Sequence, residues 1–301
     1  MSQEPLVSII IGSVNGMPEL GECLAHLVHQ QGDHPYEVIV VDRCGGPLPA
    51  LIKQGFPQPQ VRVIEAPAGT SIPKLRAIGM AEARGRAIAI LEDHCNVNPR
   101  WFETIARLLA QGVEAMGGPV RNGAVERLTD WAVFFVEYAR FMPPVKPGEI
   151  DAIAGSSAVY DRAMLDRLGP ELKNEVWEHF LHARMRELGV KFVSDPGLEV
   201  EHKKEFPFGY FMSQRYHYSR SFAGMRLNGA PLAKRIAYAG ATVLLPPLLL
   251  WRMARILLGK GGQLGRFVVA LPLLLAFMAS YAWGEAVGAL AGPGNSLAEV
   301  E

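Results

Sequence analysis

Apolar positions along the chain fall into two kinds of run. Leu6 to Ile11, Glu37 to Asp42, Val61 to Glu65 and Ala87 to Leu91 are short and apolar at most positions. A strand with no polar side is one that helices cover on both faces, as in a parallel sheet. Between these runs the apolar period lengthens. From Pro18 onward, Leu20, Leu24, Leu27 and Val28 recur at helical spacing and stop near Gln31-Gly32, and residues 71 to 84 form a second helix carrying Lys74, Arg76 and Arg84. Gly12-Ser13-Val14-Asn15-Gly16 and Gly45-Gly46-Pro47 punctuate the strands. Strand, helix, strand, strand, helix, strand predicts an α/β fold with a doubly wound, mostly parallel sheet.

The second half of the chain is less regular. Trp101, Phe102, Ile105, Leu108 and Leu109 share a helix, and Gly117-Gly118-Pro119-Val120 turns into a strand. Residues 127 to 142 predict a helix with an aromatic stripe, Trp131, Phe134, Phe135, Tyr138 and Phe141, read as core packing in preference to an acceptor-binding wall. Pro143-Pro144 and Pro147-Gly148 connect it to a strand over Ile153 to Tyr160. Phe180, Leu181, Arg184 and Leu188 place a helix within 174 to 189, with Glu175 and Glu178 in its first turn, where the helix dipole favours carboxylates. Val190 to Val193 and Leu198 to Glu201 are short strands, the second delivering His202. Residues 203 to 226 then interleave Lys203, Lys204, Arg215, Arg220 and Arg226 with aromatic side chains, which suits a lid over a diphosphate or a belt at a membrane interface.

The C-terminal part is the most apolar. Ile236 to Trp251 is split by Pro246-Pro247; Phe267 to Leu290 is longer, is interrupted only by Glu285, and is long enough to cross a bilayer. Arg252, Arg255, Lys260 and Arg266 lie between the two runs. If both crossed, these charges would sit outside, against the positive-inside rule. The pattern therefore predicts a re-entrant or interfacial hairpin over 236 to 258, bent at the prolines. A single crossing by the second run would then leave Glu299 and Glu301 outside. An ordinary two-helix hairpin and a soluble helical subdomain are the rivals.

Composition narrows the field. Lys+Arg and Asp+Glu both total 30, so no global charge points to nucleic acid or an acidic polymer, and no nucleic-acid recognition module is visible. Cys23, Cys44 and Cys95 make no Cys-x-x-Cys pair, which argues for a reducing compartment and against a disulfide frame or a zinc knuckle. The opening residues carry no secretory h-region, so the catalytic body is expected to face the cytoplasm.

The fourth strand stops abruptly at Glu92-Asp93-His94. In open α/β sheets ligands bind at the carboxyl edge of the strands, and two carboxylates beside an imidazole suit a divalent cation. The same residues are also good turn chemistry. Asp42 ends the second strand at the same edge, where a helix or turn cap is the plain alternative to ligand binding.

This order of motifs resembles glycosyltransferase family 2 and its GT-A fold. The opening strand Leu-Val-Ser-Ile-Ile-Ile, the Val-Val-Asp ending at Asp42 and an apolar strand running into an Asp-x-Asp position recur in that family, and the resemblance covers roughly residues 5 to 226. It implies a nucleotide-sugar donor, with Asp42 accepting a hydrogen bond from the base and Ser13, Asn15, Arg76 and Asp93 among the donor-binding residues. Arg43 and Ala77 depart from the family pattern, which often has a second acid and an asparagine there. On the Asp-x-Asp motif, Glu92 takes the first acidic place and His94 the second, and His202 matches a late metal or diphosphate ligand. Glu92, His94 and His202 are therefore the candidate ligands for Mn2+ or Mg2+, with Asp93 the alternative to Glu92 beside His94, and the histidines shift the preference toward Mn2+. Family members open the 174 to 189 helix with an acidic pair whose Asp is the general base; counting back from Arg184 and Gly189 puts Glu178 there, with Glu175 as the fallback. Ile153 to Tyr160 resembles the family's acceptor-side strand, and Arg162 the arginine that follows it.

These expectations describe a GT-A domain over residues 1–226 and a membrane-associated helical tail over 227–301. The activity implied is that of a metal-dependent, inverting, hexosyltransferase-like glycosyltransferase at the cytoplasmic (inner) membrane. It would move a sugar from a nucleotide-diphosphate sugar to a hydroxyl of a polyprenyl-linked sugar or a polysaccharide, with membrane lipid as a partner and no nucleic acid. A nucleotidyltransferase on a related sheet and a catalytically impaired GT-A-like scaffold are the rivals. Gly12-Ser13-Val14-Asn15-Gly16 is too poor for the phosphate loop of the first, and Arg43, Ala77 and the altered metal motif favour the second.

Overall fold

The computed structural model describes residues 4–169, 175 and 177–300. The chain divides into two compact units, Met1–Gly123 with Phe141–Lys203, and Ala124–Arg140 with Lys204–Glu301.

In the first unit the chain alternates through β1 (Val7–Ser13), α1 (Glu19–Val28), β2 (Tyr36–Asp42), α2 (Leu48–Gly55), β3 (Val61–Glu65), α3 (Ile72–Glu82) and β4 (Ala87–Glu92). β1 is central, with β2 and β4 parallel on its two sides and β3 parallel beyond β2. Ile9, Ile10, Ile11 and Val38 to Val41 are fully buried, so both faces of these strands are covered; each such side chain contributes about 1.5–3 kcal/mol. Register then decides what stands at the edge. Ser13 lies opposite Asp42, Gly12 opposite Glu92 and Asp42 opposite Glu65, so the polar ends of the strands line up. The helix α2 is not announced by the sequence pattern, because only Leu48 and Ile52 of it are buried.

Past β4 the sheet becomes mixed. The chain continues as β5 (Cys95–Val97), α4 (Trp101–Ala110), β6 (Ala115–Gly117), β7 (Val120–Asn122), α5 (Leu128–Tyr138, in the second unit), β8 (Gly148–Ile150), β9 (Val159–Asp161), α6 (Arg162–Asp166), α7 (Glu178–Glu187), β10 (Phe192–Ser194) and β11 (Val200–His202). β9 lies antiparallel between β4 and β6, β10 is parallel to β6, and β8 closes the edge. The order of the eight strands is β3-β2-β1-β4-β9-β6-β10-β8. The strand expected over Ile153 to Tyr160 is split, since Gly155–Ser157 forms a 3-10 turn and only Val159–Asp161 pairs. A separate sheet of three strands, β5-β11-β7, has the last of them in its middle, with His202 opposite Cys95 and Asn122.

The second unit is helical: α5, α8 (Phe208–Arg226), α9 (Leu232–Ala241), α10 (Leu245–Lys260) and α11 (Leu264–Ala291). Phe134 and Phe135 of α5 are buried, as core packing requires. α11 lies along α8 in the same direction. Phe277 meets Phe208, Ser280 Oγ donates to the Met212 carbonyl, and Gly284 and Gly288 sit so close to the backbone of Tyr216 and Arg220 that any Cβ there would collide. Residues 204–226, which the sequence grouped with the catalytic body, thus cluster with the tail. Between α9 and α10 the helical path continues through a 3-10 turn at Thr242–Leu244. Pro246 and Pro247 open α10 instead of bending the chain into a hairpin, since a proline in the first helical turn removes no hydrogen bond the helix needs. The runs Leu232–Lys260 and Leu264–Ala291 are both long and apolar enough to cross a membrane.

Candidate metal centre and active site

Among the described residues, one group of metal-ligating side chains converges: Glu92, His94 and His202, whose donor atoms all lie within 4.8 Å of one another. His94 Nε2 is 2.9 Å from His202 Nε2, and Glu92 Oε2 is 3.5 Å from the first and 3.8 Å from the second. His202 reaches this point because β11 pairs with β5, and the Lys203 amide donates to the His94 carbonyl at 2.9 Å.

Asp93 stands behind this group. Its buried carboxylate accepts from the amides of Val14 at 2.9 Å and Asn15 at 3.0 Å and from Asn15 Nδ2 at 2.7 Å, and it faces His94 Nδ1 at 2.9 Å. A carboxylate on Nδ1 holds the ring proton there and leaves the Nε2 lone pair free for a cation. Asp93, expected to contact the donor, is turned inward and orients the His94 ring, and Asn15 in turn holds Asp93. Burial alone would lower the His94 pKa, but hydrogen bonds to Asp93 and Glu92 and their charges raise it to about 9. Burial likewise opposes ionisation of Glu92, yet His94, His202 and Arg76 pull its pKa down to about 2. Without a cation, then, the site holds a proton on His94 between two carboxylates. One oxygen and two imidazole nitrogens, with a carboxylate behind one ring, fit a divalent transition ion better than Mg2+.

The second half of the site is built on α3 and α7. The Ser71 side chain caps α3, accepting from the Lys74 amide at 3.3 Å, and so fixes the turn that carries Arg76. Arg76 is buried. Its Nη1 is 2.6 Å from Glu178 Oε2 and its Nη2 4.0 Å from Glu92 Oε1. One guanidinium therefore links Glu92, a member of the candidate metal group, to the expected base. Burial would raise the Glu178 pKa, but the charges of Arg76 and His179 lower it on balance, so the carboxylate is ionised at neutral pH. The Gly155 backbone packs against it; a Cβ on Gly155 would stand 2.7 Å from Glu178 Cγ.

Tyr160 and His182 carry a feature that sequence reading missed. The Tyr160 hydroxyl is 2.7 Å from His182 Nε2, and both side chains are buried. Burial keeps His182 neutral, with a pKa of about 4, so the phenol donates to it. The available signal was the i, i+4 spacing of Glu178 and His182, which puts both on one face of a helix.

The remaining expected residues lie at the ends of β2 and β1 and ahead of α7. Asp42 is buried and caps the turn leaving β2, accepting from the amides of Cys44 at 2.9 Å and Gly45 at 3.1 Å. Ser13 is buried, its Oγ 3.9 Å from Cys44 Sγ. Glu175 is exposed and precedes the first turn of α7, outside the helix it was expected to open.

The model of glycosyl transferase family 2 matches residues 8–169, more than half of the 301. The chain belongs to glycosyl transferase family 2. It is a glycosyltransferase, and the family 2 match spans β1 through α6, taking in Glu92 and His94 and ending before Glu178 and His202. The solved structures that resemble this family 2 chain include these two. One is the mannosyltransferase PcManGT from Pyrobaculum calidifontis in complex with GDP-Man and Mn2+, with a TM-score of 0.58 and 17% identity over 96% of this chain and 88% of that one. The other is TarS 1-349 from S. aureus, with a TM-score of 0.53 and 14% identity over 93% of this chain and 90% of that one. At these identities the likeness shows the fold alone, GT-A. No curated protein matches the chain significantly.

Proposed function

We propose that this glycosyltransferase moves a sugar, with inversion at the anomeric carbon, from a nucleotide-diphosphate sugar to a hydroxyl of a lipid-linked or polysaccharide acceptor at the cytoplasmic face of a membrane. The observation that carries the reading is the meeting of Glu92, His94 and His202 with the Arg76–Glu178 pair at the end of β4. An alcohol is a poor nucleophile until its proton has somewhere to go, and Glu178 is an ionised carboxylate beside that meeting point. The acceptor proton passes to Glu178, the acceptor oxygen bonds to the anomeric carbon, and the bond from that carbon to the diphosphate breaks with its electron pair on the diphosphate. Attack from the face opposite the diphosphate gives inversion. Glu92, His94 and His202 would hold a divalent cation, which when bound would supply charge neutralisation to the diphosphate. Arg76 adds a fixed positive charge to the same region, and Ser13, Asn15 and Asp42 shape the ends of β1 and β2 that would face the nucleotide. The functional division we assign is a catalytic chain to residue 226 and a membrane-associated tail after it.

PcManGT was solved with GDP-Man and Mn2+, which makes GDP-mannose and Mn2+ the first donor and ion to test here. Nucleotide sugars are screened by thermal shift with and without Mn2+, since a ligand that binds the native state raises its stability. Donor hydrolysis is then compared between wild type and Glu178→Gln. A Mn2+-dependent shift with one donor and a slower Glu178→Gln are expected. Equal, metal-independent rates would overturn the roles given to these residues, and no donor binding would favour a scaffold.

A further inference from the structure

α11 is apolar along nearly all of its length, yet from Val268 to Leu290 its exposed side chains fall on one side, with Val269, Leu275, Trp283 and Leu290 among them. Protein covers the rest at both ends. At the N-terminal end Arg266 stacks over Trp131 at 4.5 Å and Phe267 meets Phe135 at 6.1 Å, both on α5. At the C-terminal end Gly288 presses on the Arg220 backbone of α8, and the chain beyond turns back along α8. There Ser296 Oγ lies 3.0 Å from His217 Nδ1, and the Glu299 carbonyl accepts from Gln214 at 2.9 Å.

Among the described residues no helix between α5 and α8 is long and apolar enough to cross a bilayer, so α5 and α8 share one side of it. α5 ends at Tyr138, and the Phe141 carbonyl already accepts from the Val120 amide of β7. Three residue steps reach about 10 Å at full extension, against about 30 Å of hydrocarbon. α8 begins shortly after His202 and carries Gln214, Arg215, His217, Arg220 and Arg226, which no unassisted crossing tolerates. α9 and α10 then follow α11 in reverse. Arg235 donates to the carbonyls of Ala289 at 2.7 Å and Leu290 at 2.6 Å, and the chain returns through α10 to Gly261-Gly262-Gln263 at the other end of α11.

The outer side chains of this layer are apolar and basic. Val243 is 73% exposed, Trp251 59% and Trp283 66%. Lys234, Arg252, Arg255 and Arg266 are exposed among them, and the one acid between Leu232 and Ala291, Glu285, is buried and paired with Arg226. Apolar side chains rimmed by unopposed cations complement the interface of an anionic bilayer.

We infer that α9, α10 and α11 form an in-plane anchor seated on an anionic lipid surface, and that neither long apolar run crosses it. The inference rests on the membrane part of the proposed function and replaces the single crossing expected from the sequence.

Impermeant maleimide labelling of the full chain tests it. Single cysteines at Gly262→Cys and Ala298→Cys, in a background with Cys44→Ser, are probed in bacterial spheroplasts before and after detergent lysis, with native Cys44 as the cytoplasmic reference. Recovery in the membrane fraction with all three positions labelled only after lysis is the expected result. Label on Gly262→Cys in intact spheroplasts overturns the inference in favour of a two-helix hairpin. Label on Ala298→Cys overturns it in favour of a crossing by α11, and recovery in the soluble fraction removes the lipid. As a second measure, Arg252→Gln with Arg255→Gln should lower binding to phosphatidylglycerol vesicles roughly 30-fold and leave phosphatidylcholine binding unchanged; equal binding to both by wild type and variant refutes the charge complementarity. Donor binding is scored separately by thermal shift, so a failed catalytic reading leaves the labelling result intact.

Discussion

The Nε2 atoms of His94 and His202 lie 2.9 Å apart, with the two buried rings nearly perpendicular at 89°. Two ring nitrogens that close must share a proton or a cation, and Glu92 beside them supplies the negative charge for either. His202→Ala should abolish the Mn2+-dependent rise in melting temperature. At a hundredfold excess over Kd that rise corresponds to about 2.7 kcal/mol in the wild type. A Mn2+ titration followed by differential scanning fluorimetry checks it, and an undiminished shift in the variant would remove His202 from the metal centre.

Metal-free stability should depend on pH through His94. Its folded pKa of about 9 stands above the ordinary histidine value, so its contribution is complete below about pH 6.5 and is lost as pH rises through about 9. Mn2+ affinity should climb over the same window, because the ion displaces the proton. Melting in chelator from about pH 6 to about pH 10, wild type against His94→Gln, reads both the slope and its loss.

Arg76 and Glu178 should separate in their kinetics. Glu178→Gln removes the proton acceptor and is expected to lower kcat by about 10²–10⁴-fold while donor KM changes little. Arg76→Lys keeps a charge but loses the planar fork that reaches Glu178 at 2.6 Å and Glu92 at 4.0 Å. Both donor KM and kcat should suffer. Steady-state kinetics at varied donor concentration distinguish the two patterns.

Tyr160→Phe should leave His182 Nε2 buried without its donor, at a cost of about 1–3 kcal/mol. Urea unfolding measures this loss, and the Mn2+ shift should be untouched, since neither side chain belongs to the Glu92, His94 and His202 group.

The parallel half of the sheet was legible because fully covered strands advertise themselves: Ala87 to Leu91 has no polar position, and Glu92 follows at once. The family's motifs then pointed to the three residues that converge. What the chain concealed were partnerships between distant segments. Nothing near Arg76 announces Glu178, and nothing near Gly155 announces the carboxylate it supports. Asp93, expected among the donor-binding residues, accepts from the Val14 and Asn15 amides, a partnership between distant segments that spacing does not show. The prolines at 246 and 247 misled. Proline interrupts a helix in its interior but begins one freely, and sequence alone does not say which end it occupies.

β11 brings a consequence for how the protein comes into being. It is the middle strand of its sheet and also the bearer of His202, so β5 and β7 wait without their shared neighbour until residue 202 has left the ribosome. A nascent chain halted earlier has Glu92 and His94 but cannot close the cage around an ion. On the proposed metal assignment, capture of an ion by all three side chains would therefore come late in synthesis, once the chain has been made through His202.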